Sequence, residues 1–100
     1  MSASKFEALE DVYPQVIEQM KNEFDSHDFI LNLAHRYQKL YVQALIEYAD
    51  KNQPFQSVHK EIAKRLKKFP QLVSNTGQKR NSENIFRVNS RAEIWRKVKA

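Results

Sequence analysis

Pro54-Phe-Gln-Ser-Val-His-Lys-Glu-Ile-Ala-Lys-Arg-Leu-Lys-Lys-Phe-Pro70 writes two faces into one segment. Phe55, Val58, Ile62, Leu66 and Phe69 recur at spacings of three and four, so they share one side of a helix, and Lys60, Lys64, Arg65, Lys67 and Lys68 project from the other sides. One side is suited to packing and the other to anions. The polar break Asp50–Pro54 predicts a start at Gln56 or Ser57. Phe69-Pro70 predicts the stop, because proline disfavours helical backbone in the residue before it. Glu61 and Arg65, four apart in the favourable order, add a few tenths of a kcal/mol.

Upstream, Phe6, Leu9, Tyr13, Val16, Ile17, Met20 and Phe24 continue the helical spacing, with Ser4 and Glu7 placed as a capping box at the start. Pro14 removes a backbone donor and predicts either a kink or two short helices. Asp25 or Ser26 can cap the next helix, with Asp28 at its positive end. Ile30, Leu33, Tyr37, Leu40, Ala44 and Tyr48 give it a stripe that Phe29, Ala34, Tyr41 and Leu45 widen, so it reads as the central element. It either runs from His27 to Lys51 or bends between His35 and Gln38.

Downstream the periodicity is lost from Gln71 to Asn89. The turn-rich run Ser74–Ser82 is flanked by Leu72-Val73 and by Ile85–Val88. The flanks can pair as a hairpin with Gly77, Lys79 and Arg80 near its tip, or Ser82 can cap a short helix through Phe86. Ser90-Arg-Ala-Glu93 has the spacing of a capping box and predicts a terminal helix from Arg91 to about Lys99, with Ile94, Trp95 and Val98 inward. The expected fold class is therefore mainly α, a small bundle of four or five helices in one domain, residues 1–100, with a short wing-like β-hairpin between residues 71 and 89 as one option.

One hundred residues with 41% hydrophobic and 29% charged side chains suit one soluble globular domain. There is no cysteine, which removes disulfides and thiolate metal sites and fits a cytoplasmic setting. The start, Met1–Glu7, lacks the apolar run of a secretory signal, and no stretch approaches the ~18 apolar residues of a membrane helix. Gly77 is the single glycine, which excludes glycine-rich phosphate loops.

The net charge of +5 conceals a division: residues 1–53 hold five Lys/Arg against nine Asp/Glu, and residues 54–100 hold twelve against three. An acidic half thus precedes a basic half. Either the basic half meets an anionic partner, or the two halves pack with complementary charge.

The run from Leu40 to Leu66, a helix Tyr41–Tyr48, a break at Lys51–Phe55 and then Ser57-Val-His-Lys-Glu-Ile-Ala-Lys-Arg-Leu66, resembles the opening of helix-turn-helix and winged-helix DNA-binding domains. In that resemblance the phrase ending Ile-Ala-x-x-Leu is the helix ahead of the recognition helix. It implies a DNA-binding, regulatory module. The residues themselves offer the chemistry: Lys60, Lys64, Lys67, Lys68, Lys79, Arg80, Arg87 and Arg91 are the expected nucleic-acid contacts, since such cations neutralise phosphates and release counterions. Arg80 and Arg87 suit guanine edges, and Asn75, Asn81 and Asn84 suit adenine edges, so specificity is expected from Ser74 to Arg87. Phe86 and Trp95, each beside an arginine, suit base stacking, although the spacing of Trp95 with Ile94 and Val98 suits a core. The competing expectation is a protein-interaction module or self-associating bundle, a homodimer among its forms, with Phe6, Leu9, Tyr13, Val16 and Met20 as interface and an acidic protein on the basic half.

His27, His35 and His59 do not pair at the spacing of a helical metal site, and no nucleophile elbow or apolar carboxylate pair is present. No metal, cofactor or catalytic activity is expected.

Overall fold

A computed structural model of the chain describes residues 5–98. Its elements are α1 (Lys5–Glu10), α2 (Tyr13–Gln19), β1 (Glu23–Asp25), α3 (Ser26–Arg36), α4 (Gln38–Ile46), α5 (Pro54–Arg65), a 3-10 turn (Leu66–Lys68), β2 (Val73–Glu83) and β3 (Asn89–Lys97). Ser4 of the expected first capping box and Lys99 of the expected terminal helix lie outside the described residues.

Pro14 divides the first stripe into α1 and α2, occupying the first turn of α2, where its missing N–H costs nothing. Asp25 caps α3 reciprocally: its carboxylate accepts from the Asp28 N–H at 2.9 Å, and the Asp28 carboxylate accepts from the Asp25 N–H at 3.2 Å. The long central helix bends into α3 and α4 at Tyr37, whose φ of −126° and ψ of 56° leave the helical region. α5 begins at Pro54, earlier than expected, so Phe55 falls in its first turn, 41% exposed and set against Phe86 of the hairpin rather than in the core.

The expected mainly α bundle is corrected by a three-stranded antiparallel sheet of order β1-β3-β2. Where a terminal helix was expected, β3 runs between its two neighbours. Phe24 faces Trp95 on one side, and Val73 through Asn75 face Lys97 through Trp95 on the other. A Ser-to-Glu capping box is worth about 1 kcal/mol. A central strand satisfies its backbone on both edges and here buries Trp95 to 2% exposure, so the non-local pairing prevails.

The hairpin also turns elsewhere than expected. Its tip is Asn84–Val88, where the Asn84 side-chain oxygen accepts from the N–H groups of Phe86 and Val88 at 2.9 and 3.1 Å, and Arg87 takes a φ of 65°. Gly77, expected near the tip, sits in mid-strand in a bulge where the register between Asn75 and Lys79 shifts. Its φ of 79° is in the left-handed region that glycine enters without a Cβ penalty. Asn75 accepts from the Gly77 N–H at 2.8 Å, and Thr76 accepts from the Gln78 N–H at 3.2 Å while donating to the Ile94 carbonyl at 2.9 Å. The turn-forming residues thus make a bulge.

The core joins both layers. Phe6, Leu9, Tyr13 and Val16 are at most 1% exposed and Met20 is 9%, so the stripe expected as an alternative interface is interior. Tyr13 donates to the Ile62 carbonyl at 2.7 Å and packs edge-on to Phe29, which ties α2 to α5 and α3. Among the described residues, no helix is long and apolar enough to cross a membrane.

Candidate nucleic-acid interface

The eight expected cations separate into those already neutralised and those without a partner. Arg80 donates to Asp25 at 2.9 Å and to Asp28 at 3.3 Å, and Lys68 lies 3.2 Å from Glu10. Burial pushes the Asp25 carboxyl up, but hydrogen bonds from Arg80, the Asp28 amide and Ser82 outweigh it and hold the group below the ordinary carboxylate range. Arg65 joins the same pattern, bridging Glu10 at 2.9 Å and Glu61 at 3.0 Å, and Arg96 meets Glu23 at 2.9 Å. Complementary packing of the acidic and basic halves therefore accounts for part of the charge division.

The remainder converge on one side. Lys60 of α5 and Lys79 and Arg91 of the hairpin line a groove of about 500 Å³, closed at its base by Ser26, His27 and Ile30 of α3. Lys64 follows Lys60 by one helical turn, and Lys67 stands in the 3-10 turn beyond. Among the described residues none of these five side chains has an ion-pair partner. Glu93 is the groove's one carboxylate among its lining residues; it stands in register with Lys79 and accepts from the Asn75 amide. Arg87 is set apart at the hairpin tip, largely exposed and 3.8 Å from Glu83.

Two of the three asparagines expected as adenine readers are occupied, Asn75 by Gly77 and Glu93, and Asn84 by the tip amides. Trp95 is buried and donates to the Ser26 hydroxyl, which leaves Phe86 as the exposed ring.

Two of the three histidines, which carried no expected role, line the groove, and His35 lies apart from it beside α2. His27 bridges two hairpin serines, with Nδ1 at 2.7 Å from Ser82 Oγ and Nε2 at 3.1 Å from Ser90 Oγ. His59 Nε2 lies 2.6 Å from the Tyr41 hydroxyl. Burial, then the nearby His27, pushes the His59 pKa down to about 4, and burial pushes Tyr41 up to about 12. At neutral pH the contact therefore joins a neutral phenol to an uncharged imidazole. The signal for His59 in the sequence was its place one position from Val58 and Lys60, between the buried and basic faces. Among the described residues no group of three or more histidines and carboxylates is gathered for a metal ion.

No protein-family model, curated protein or solved structure matches this chain.

Proposed function

We propose that the protein is a small nucleic-acid-binding module, DNA favoured, that holds phosphates along the groove between α5 and the hairpin and performs no catalysis. The observation that carries this reading is the convergence of Lys60, Lys79 and Arg91 on one groove, none of them ion-paired among the described residues, while Arg65, Lys68 and Arg80 close by in the chain are already held by carboxylates. The helix followed by an antiparallel hairpin suits the winged-helix resemblance. α4 and α5 are joined by residues 47–53, longer than the ~3–4-residue turn of a tight helix-turn-helix, so the reading rests on α5 and the wing rather than on that helix pair. A regulatory, cytoplasmic role goes with it.

Fluorescence anisotropy across a salt series on short duplex DNA tests the reading. Five cations each meeting a phosphate predict a log K against log salt slope on the order of −4. A flat salt dependence would overturn the phosphate contacts, and equal affinity for polyglutamate would assign the groove to an acidic protein instead.

A further inference from the structure

At one end of the basic groove lies a second cleft of about 310 Å³, and the two share Gln56, His59, Asn84 and Val88 as lining, so they are continuous. Here Phe55 and Phe86 remain 41% and 50% exposed, with ring centroids 4.9 Å apart and planes at 81°. Phe86 lies nearly parallel to the His59 ring, at 5.9 Å and 24°, and the Tyr41 hydroxyl fixes that ring from behind. The Phe86 backbone is held by Asn84, so the ring is presented from a turn bonded to itself. The two phenyl rings touch edge to face, so with the His59 ring beside Phe86 they make a half-exposed aromatic ledge against which a flat group can lie.

We propose that Phe55 and Phe86 stack one unpaired base of a strand whose phosphates lie along Lys60, Lys79 and Arg91. This rests on the nucleic-acid reading above and adds the kind of strand: a single strand or frayed duplex end rather than an intact duplex. Every base has an apolar face that accepts such stacking, and cations beside aromatics are the usual construction of single-strand sites. Phe55, Phe86 and Val88 are the apolar side chains exposed at this cleft, far short of the roughly 800 Å² per partner that a stable protein interface covers. The partnerless cations next to it call for a polyanion.

The test compares a short oligothymidylate with an abasic oligomer of the same length and charge, by anisotropy, on the full chain and its Phe86→Ala and Phe86→Tyr variants. The expected result is that Phe86→Ala weakens the oligothymidylate about ten-fold, equivalent to about 1.4 kcal/mol. The salt slope and the affinity for the abasic oligomer stay unchanged, and Phe86→Tyr restores binding. Equal weakening on both oligomers, or none on either, overturns the stacking role while salt-dependent binding keeps the phosphate reading. Absence of binding by the unaltered chain to any oligomer at low salt overturns both. A dimer in sedimentation that Phe86→Ala dissociates would assign the rings to a second copy and overturn the proposal.

Discussion

The contact where α1 and the start of α3 meet the basic half, and the groove between α5 and the hairpin, share out cations that are neighbours in the chain. Arg65, Lys68 and Arg80 are bound to Glu10, Asp25 or Asp28, whereas Lys64, Lys67 and Lys79, each one position earlier, are not. On a helix successive residues point about 100° apart, and on a strand they point to opposite faces. Each dibasic pair therefore sends one charge to the acidic half and one outward. The lesson is that a run of Lys and Arg does two jobs at once, and that net charge alone counts both as free.

The largest expected break of this division is Arg80→Ala. It leaves the Asp25 carboxylate, at 2% side-chain exposure, without its cation, and the loss should be on the order of 3 kcal/mol by urea denaturation. DNA affinity of the protein that remains folded should be nearly unchanged. The groove should answer in the opposite way: Lys60→Ala with Arg91→Ala should shift stability by less than ~0.5 kcal/mol and lower the salt slope by about 2. If Arg80→Ala instead lowers the slope by as much as these two, the division is wrong.

Acid should separate the two regions as well. The His59 pKa is pushed down to about 4 in the folded chain and returns to ~6.5 in the unfolded one, so the unfolded state binds the extra proton between those values. Stability from this group is full above about pH 6.5 and declines as the pH falls toward 4, by on the order of 1–2 kcal/mol once its partial exposure is discounted. Urea midpoints at about pH 7 and about pH 4.5 should differ, and His59→Phe should flatten the difference. Asp25, held below its ordinary range, keeps its contact to lower pH. A milder change to the ion-paired contact is Glu10→Gln, which frees Lys68 and leaves Arg65 to Glu61 alone, at a cost of ~1 kcal/mol or less. It should steepen the salt slope if the freed Lys68 reaches the nucleic acid.

The helices were legible because their evidence is local. Pro14, the Asp25–Asp28 box and the stripe Val58, Ile62, Leu66 each act within a few residues, and α2, α3 and α5 form where these signals stand. The candidate site was half legible: charge alone marks Lys60, Lys79 and Arg91, which line the groove, and marks Arg80 and Lys68 equally, which their acidic partners neutralise. Phe55 misled because the helical spacing that placed it among core residues does not tell whether the first turn has anything to pack against.

The sequence by itself determined that helices stand at α2, α3 and α5, the acidic-to-basic order and the stock of cations, because periodicity, caps and charge are properties of neighbouring residues. Only the tertiary structure decided that the last segment is a strand, since β3 is satisfied by β1, some seventy residues away, and by β2 across a bulged hairpin. Val73–Glu83 is polar and exposed along most of its length, so it carries no alternating period to mark it as a strand. The same distance decided which charges are free, because an ion pair such as Asp25 with Arg80 exists only once the chain has brought its two halves together.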